Sequence, residues 1–299
     1  PLVKQIEAAP LRAGSVVLYS HNTFHRGNHR RDDWANWENN PRFMWRFFIY
    51  RTTEVDSSID RNVPEISWDK VGVDPLTSVD LGKAGVELTT VWRYHDYWMR
   101  TGNPPPANPK TKSYTTEDRQ KEANRLFELL HTKYDQGEYL RIGAAYQLAA
   151  LGDACLSMSL LGNALLNERE NVRRAASYGL VAVGSDSSDI FMEATKSTNK
   201  WIRKAGVFGL GSVSFLTKEV LKAVVKCLKE DTSVYVRSVA ADTLGCLCRR
   251  AIAKKIGVDL VPNCLKALLE SLATEENRIA MNISQGRSIK FVRPTDDCD

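Results

Sequence analysis

The pattern of hydrophobic and polar positions changes near residue 104 of this chain. Before that point, two apolar runs, Val16 to Tyr19 and Phe43 to Tyr50, are rich in β-branched and aromatic residues, which favour strands. After it, apolar residues recur at helical spacing from about residue 118 to residue 275. The pattern therefore predicts a strand-containing segment followed by a helical one.

One helix and one break are predicted between these regions. Apolar positions from Leu88 to Met99 follow helical spacing, which predicts an amphipathic helix ending near Gly102. The proline-rich stretch from Asn103 to Pro109 then interrupts regular structure and acts as a semi-rigid spacer. Thr115 or Thr116, each followed by acidic residues, is a suitable start for the next helix.

Four segments of the helical region align, and each carries an aliphatic residue followed by an arginine. The four arginines are 32, 30 and 34 residues apart, a period typical of solenoids built from helix pairs. The segments resemble HEAT repeats over roughly residues 118–275, and the resemblance implies at least four stacked pairs of an outer and an inner helix. The arginines, which begin the inner helices, are Arg141, Arg173, Arg203 and Arg237.

The repeats also predict the core of the solenoid. Small residues recur on one face of the inner helices, where they would let neighbouring helices approach closely, and one leucine per unit would close the shared core. The leucines, which we expect to be buried, are Leu148, Leu180, Leu210 and Leu244. The small residues are Ala144, Ala145, Ala175, Ala176, Ala205, Gly206, Ala240 and Ala241.

The repeated arginine has two interpretations. The arginines could form a basic ladder for an acidic partner. Alternatively, each could pair with a carboxylate or carbonyl of the preceding turn, for example Arg237 with Asp231, and fix the geometry of its repeat. The second interpretation is favoured because one arginine per repeat is part of the repeat itself.

Three of the five histidines follow the first predicted strand, which a turn at Gly14 introduces. They are His21, His25 and His29. This order of turn, strand and histidine resembles the second half of the phytanoyl-CoA dioxygenase-like oxygenases, which use Fe(II) and 2-oxoglutarate. The resemblance implies that His25 is an iron ligand. It also implies that an arginine on the next strand binds the distal carboxylate of 2-oxoglutarate.

The chemistry of such enzymes suits these residue types. Two histidines and one carboxylate hold the iron and leave positions open, and a guanidinium grips a carboxylate through two parallel hydrogen bonds. Arg42 matches the family's arginine, but it lies 17 residues after His25, a long gap, so Arg46 on the same strand face stays an alternative. The family's upstream His-x-Asp/Glu motif is missing here, so we do not expect this chain alone to be a competent catalyst.

Two other interpretations of the histidines remain. His25 could be a structural histidine of a strand. His21, His25 and His29 would share one face if the segment were helical, as zinc ligands do, but Gly27 and the neighbouring asparagines disfavour a helix. We place His21 in the pocket and His29 in a surface loop.

Together these patterns predict a mixed fold class, in which a partial double-stranded β-helix (jelly-roll) fragment precedes an all-α HEAT-type solenoid. The predicted domains are an oxygenase-like part with a trailing helix over residues 1–103, a proline-rich linker over 104–115, the solenoid over 116–280 and a tail over 281–299.

Composition narrows the class of protein further. With 43% hydrophobic and 26% charged residues the chain is typical of globular proteins, and a net charge of +5 does not by itself indicate nucleic acid. No apolar run is long enough to span a bilayer. The six cysteines form no C-x-x-C motif, which favours reduced thiols and a cytoplasmic location. The missing initiator methionine indicates a fragment or a processed chain, so N-terminal targeting information is expected to be missing rather than absent.

Two functions are therefore expected. In the first, the parent protein is an Fe(II)/2-oxoglutarate-dependent dioxygenase that hydroxylates a small or lipid-like substrate, and the solenoid binds a protein partner or carrier. In the second, the chain is a non-catalytic HEAT-repeat scaffold or adaptor.

Overall fold

The computed structural model describes residues 72–73, 80–106, 113–133 and 137–284, with the side chains of Leu81 and of 277–284 excepted. The two predicted strands lie outside these residues. Of the described residues, 72–73 and 80–81 belong to one compact unit and those from Gly82 onward to another. In the first unit the only β pairing described is an isolated antiparallel bridge between Val73 and Asp80.

The second unit contains ten α-helices within the described ranges. They are α1 (Val86–Thr101), α2 (Thr116–Leu130), α3 (Glu138–Ala149), α4 (Ala154–Leu165), α5 (Glu170–Val183), α6 (Ser188–Ala194), α7 (Lys200–Val213), α8 (Lys218–Glu230), α9 (Val234–Lys254) and α10 (Val261–Ser284). Short 3-10 helices lie at Leu81–Lys83, Ser185–Ser187 and Val258–Leu260. None of the helices in these ranges combines the length and apolar content that a membrane span requires.

The predicted mixed fold class, with its jelly-roll fragment, is wrong. The described part of the chain is helical and contains no β-strand. Within the predicted first domain, the longest described element is α1, which packs on the helix α3. The predicted domain boundaries stay predictions, because most of residues 1–103 lie outside the described part.

The helices of the second unit stack in two layers. An inner layer contains α1, α3, α5, α7 and α9, and an outer layer contains α2, α4, α6, α8 and α10, with each outer helix up to α8 packed on the inner helix that follows it. The four pairs α2–α3, α4–α5, α6–α7 and α8–α9 agree with the expected number of helix pairs. Helix α1 continues the inner layer beyond α3.

The predicted core leucines are confirmed. Leu148, Leu180, Leu210 and Leu244 are all fully buried in one continuous apolar core. The small residues beside them are buried or half-buried. The unequal repeat lengths have a simple origin, because the shortest step, from Arg173 to Arg203, contains the seven-residue helix α6, whereas α4 and α8 have 12 and 13 residues.

The repeat arginines pair locally, as the favoured interpretation predicted. Each donates hydrogen bonds to main-chain carbonyls of the loop before its own helix, which satisfies groups that would otherwise be left unpaired. Arg237, for example, donates to the carbonyl of Asp231 at 2.9 Å. The carbonyls bound by the others belong to Thr132 for Arg141, Asn167 and Glu168 for Arg173, and Ser197 and Thr198 for Arg203.

Local capping explains several helix starts. The hydroxyl of Thr115 accepts from the backbone N–H of Asp118 while the Asp118 carboxylate accepts from the backbone N–H of Thr115, a capping box that begins α2 where the sequence predicted. Asp153, Asn199 and Thr217 cap α4, α7 and α8 in a similar way.

Candidate functional site

The residues predicted to bind iron and 2-oxoglutarate, His25, Arg42 and Arg46, lie outside the described residues, as do His21 and His29. Among the described residues, no three histidine, cysteine, aspartate or glutamate side chains are grouped as a metal site. The predicted roles of His25, Arg42 and Arg46, and of Fe(II) and 2-oxoglutarate, therefore stay predictions. Among the described residues, the candidate binding surface lies on the inner layer of helices.

An aromatic residue occupies the same position in three consecutive inner helices, five residues after the repeat arginine. We call Tyr146, Tyr178 and Phe208 the aromatic column; the fourth repeat has Asp242 at this position. The rings of Tyr178 and Phe208 meet edge to face, with centroids 6.3 Å apart and planes 71° apart. This geometry is one that aromatic pairs prefer. The column therefore connects α5 to α7 across the layer.

The aromatic column becomes more exposed from α3 to α7. Tyr146 is only 6% exposed because Tyr94 of α1 stacks on its ring. Tyr178 is half-buried, and Phe208 is 40% exposed. Helix α1 thus covers the first position of the column, and the following positions open to solvent.

The covered end of the column is a packing contact. Burial raises the pKa of Tyr94 to about 12 and raises that of Tyr146 as well, so both phenols stay protonated at neutral pH. Nε2 of His95 lies 3.4 Å from the Tyr146 hydroxyl, and burial lowers the pKa of His95, which favours the neutral imidazole. These groups suit a neutral hydrogen-bonded contact between α1 and α3.

Beyond the column, a pair of lysines lies over a pair of aromatic rings. Trp201 of α7 and Tyr235 of α9 are 5.1 Å apart between centroids. Nζ of Lys200 is 4.6 Å from the Trp201 centroid and 5.4 Å from that of Tyr235. Nζ of Lys204 is 5.4 Å and 5.7 Å from the same two centroids. We call Lys200, Lys204, Trp201 and Tyr235 the lysine–aromatic patch, and both its ammonium groups lie within the range of cation–π attraction.

Equivalent positions in the earlier repeats carry the opposite charge. Three residues before the repeat arginine stand Glu138 in α3 and Glu170 in α5, and the same position in α7 is Lys200. The two glutamates share the guanidinium of Arg174, at 2.9 Å and 3.2 Å. In the described part of the chain, the interactions of the Lys200 ammonium are those with the two rings, and no carboxylate pairs with it.

Arg203, the remaining basic residue of α7, forms an ion pair with a carboxylate. Arg203 donates two hydrogen bonds to the carboxylate of Asp231, at 2.6 Å and 2.9 Å, and both side chains are largely buried. Burial alone would raise the pKa of Asp231, but the hydrogen bonds from Arg203 and from the Ser233 backbone N–H bring it below its usual range. The same bond raises the pKa of Arg203. The charge of Arg203 is therefore compensated within the protein.

Together, the aromatic column and the lysine–aromatic patch are suited to binding another molecule. The exposed ring of Phe208 offers apolar surface, and the lysine–aromatic patch one to two helical turns before it offers positive charge. The aromatic column could have been detected in the sequence, because its members occupy one column of the aligned repeats. The arginine and the leucine are the stronger sequence signals because they recur in all four repeats, whereas the aromatic residue recurs in three.

Comparisons with known proteins do not assign a family. No protein-family model matches this chain, and no curated protein matches it. Among solved structures, the crystal structure of an engineered protein from a structural genomics consortium is similar at 17% sequence identity with a TM-score of 0.28. That similarity covers 55% of this chain and 87% of the other. A TM-score of this size carries no conclusion about fold or function.

Proposed function

We propose that this chain is a helical-repeat interaction module whose inner layer binds a segment of a partner protein. The observation that carries the proposal is the aromatic column, because equivalent residues in successive repeats face the same side and open to solvent at Tyr178 and Phe208. Stacked repeats commonly present extended binding surfaces of this kind. The proposal corresponds to the scaffold or adaptor hypothesis from the sequence.

Physical considerations support binding at this face. A ring such as Phe208 that keeps 40% of its surface exposed gains free energy when a partner removes that surface from water. Aromatic residues are also enriched among those that contribute most to protein–protein affinity. The rigid stack beneath the column orders these rings before binding, so little entropy would be lost there on association.

The test is a selection of random short peptides displayed on phage against the full-length chain, followed by binding measurements on the enriched peptides. We expect enriched peptides whose affinity falls about tenfold or more in Phe208→Ala and in Tyr178→Ala, in the range of hot-spot substitutions. Leu166→Ala is the matched control, because Leu166 is an exposed apolar residue that follows the outer helix α4. Circular dichroism would confirm that all three variants fold.

Two outcomes would contradict the proposal. One is that no peptide is enriched over a display control without the chain. The other is that enriched peptides bind Phe208→Ala and Tyr178→Ala as tightly as the unchanged protein, which would place the binding surface elsewhere.

The oxygenase hypothesis remains a prediction that rests on the sequence order around His25, Arg42 and Arg46. Its measurement is succinate release from 2-oxoglutarate with and without added iron. The hypothesis requires release by a longer parent protein that contains the upstream ligand motif, and loss of release in His25→Ala of that parent.

A further inference from the structure

Helix α10 repeats the sequence pattern of the outer helix α8, at a distance of 44 residues along the chain. Leu221 and Leu228 of α8 align with Leu265 and Leu272 of α10, and the lysine and alanine that follow Leu221 also follow Leu265. The two helices therefore share the positions of their apolar residues, and α10 carries the pattern of a further outer helix.

The ion pairs between repeats follow the same alignment. Arg203 of α7 pairs with Asp231, which stands three residues after Leu228, at 2.6 Å. Arg237 of α9 pairs with Glu275, the residue aligned with Asp231, also at 2.6 Å. In each case an acid near the end of an outer helix binds the arginine of the inner helix before it. Helix α10 thus stands to α9 as α8 stands to α7.

The aligned leucines of the two helices differ in burial. Leu221 and Leu228 are 9% and 5% exposed, whereas Leu265 and Leu272 are 55% and 59% exposed. The most extensive contact of α8 is with α9, the inner helix that follows it, and no inner helix follows α10 within the described residues. The exposed leucines of α10 are therefore those that a helix placed like α9 would cover.

Three exposed leucines form a row on this open side of α10. Leu265, Leu269 and Leu272 are spaced by four and three residues, which places them on one face of the helix. The buried Cys264 and Ser271 lie on another face, towards the core. Single exposed apolar residues are common on protein surfaces, but a contiguous set marks an interaction surface. We call these three residues the leucine row.

A carboxylate stands at the end of the leucine row. Glu276 lies one turn after Leu272 on the same side of α10, it is exposed, and no ion pair in the described part of the chain involves it. In the α8–α9 pair, Arg237 of α9 donates to the carbonyl of Asp231 at the end of α8. By the same alignment, an arginine of a helix placed on α10 would lie near Glu276.

We infer that the leucine row binds an amphipathic helix of a partner protein, which lies on α10 as α9 lies on α8 and places a basic residue near Glu276. This site is separate from the aromatic column and does not depend on the proposed function of the inner layer. Binding of a helix through apolar residues at such spacing is a common mode of recognition.

One helix fits the size of this surface better than a second copy of the chain does. The leucine row spans about two turns, or roughly 10 Å of helix. A stable interface between two proteins buries about 800 Å² on each partner, far more than three leucine side chains provide. A single amphipathic helix can cover the whole row.

The probe is a fluorescein-labelled peptide with the sequence of α9 and its cap, residues 233–254, carrying Cys246→Ala and Cys248→Ala to prevent oxidation. A second peptide has the same composition in scrambled order, and a third also carries Arg237→Gln. Fluorescence anisotropy with the full-length chain measures the affinity of each peptide.

Three variants of the full-length chain test the site. Leu272→Lys places a charge in the leucine row, and Leu166→Lys is its matched control, because Leu166 is also 59% exposed and follows the outer helix α4. Glu276→Gln removes the carboxylate at the end of the row. All three changes are at exposed positions, and circular dichroism verifies that the variants fold.

We expect the α9 peptide to bind at least about tenfold more tightly than the scrambled peptide, and Leu272→Lys to remove that difference. Leu166→Lys should leave it unchanged. Glu276→Gln in the chain and Arg237→Gln in the peptide should each weaken binding about two- to fivefold at low salt. The two changes together should weaken it no more than either alone, because both remove the same ion pair.

Several results would overturn the inference. Equal binding of the α9 and scrambled peptides, or unchanged binding in Leu272→Lys, would show that the leucine row does not bind a helix. A dimer in sedimentation velocity that Leu272→Lys dissociates would assign the row to a second copy. Tighter peptide binding in Phe291→Ser would assign it to the C-terminal residues of the chain itself. Additive effects of Glu276→Gln and Arg237→Gln would refute the assigned orientation of the bound helix.

Discussion

The ring of Tyr94 in α1 stacks on the ring of Tyr146 in α3, with centroids 3.8 Å apart and planes inclined by 10°. The contact is buried, and it joins the helix that precedes the proline-rich stretch to the first inner helix of the repeats. A helix that the sequence grouped with the oxygenase-like part therefore packs on the repeat helix α3 and covers the first ring of the aromatic column.

Truncation of the stacked ring should detach α1. Tyr94→Ala removes a buried aromatic side chain, and such changes cost about 3–5 kcal/mol in well-packed sites. We expect faster amide hydrogen exchange throughout Val86–Thr101. Trp98→Ala is the control, because Trp98 lies in the same helix with 42% of its surface exposed. Equal exchange rates in both variants would show that the stack does not hold α1.

A glycine permits the close approach of the same two helices. A Cβ added at Gly143 of α3 would lie 2.3 Å from the carbonyl oxygen of Glu87 in α1, which is main chain and cannot swing away. Gly143→Ala should therefore destabilise the protein by about 1–3 kcal/mol, as overpacking does. Urea denaturation measures the change in the free energy of unfolding.

Gly245→Ala is the matched control for this substitution. Gly245 also lies in a helix of the inner layer, but its nearest neighbour would be the flexible end of Arg249 at 3.4 Å. Alanine there should stabilise the protein by up to about 1 kcal/mol through helix propensity. A destabilisation of the same size in both variants would mean that α1 and α3 do not approach closely in solution.

The ion pair between adjacent repeats should make stability sensitive to acid. The pKa of Asp231 is below its ordinary value of 3.8, so its contribution is present above that value and is lost as pH falls through the lower folded-state pKa. We expect the free energy of unfolding to fall below about pH 4, and Asp231→Asn to weaken this dependence. Urea denaturation at a series of pH values measures it.

At neutral pH, loss of one partner should be costly. Arg203→Ala should reduce stability by about 2–3 kcal/mol, since it leaves the carboxylate of Asp231 without its two charge-assisted bonds. Arg174→Ala, whose pairs with glutamates are partly exposed, should cost at most about 1 kcal/mol. Similar losses in the two variants would argue against a special role for the Arg203 pair.

The repeat leucines should dominate stability. Leu210 is fully buried, and Leu210→Ala should cost about 2–5 kcal/mol through lost burial and the remaining cavity. Leu269→Ala on α10 is the control, because 68% of Leu269 is exposed, and it should change stability by less than about 0.5 kcal/mol. Thermal or chemical unfolding of the two variants separates these effects. A loss in Leu210→Ala no larger than in Leu269→Ala would contradict the assigned repeat register.

The fold of the second half could be predicted because its signals are local and repeated. The period between arginines, the buried leucine in each unit and the cap at Thr115 depend on residues within one helix or one turn. Periodicity indicates which side of a helix is apolar, and here the same pattern occurs in four copies. The local hydrogen bonds of the repeat arginines followed from the same argument.

The sequence by itself thus determined the helix pairs, their core leucines and the structural role of the repeated arginine. Only the tertiary structure decided that α1 packs on α3, that Asp231 neutralises Arg203, and that Tyr146 is covered while Phe208 remains open. An amphipathic pattern indicates that a face is buried but not which face covers it. That choice depends on contacts between residues far apart in the chain, such as Tyr94 with Tyr146, which no local pattern contains.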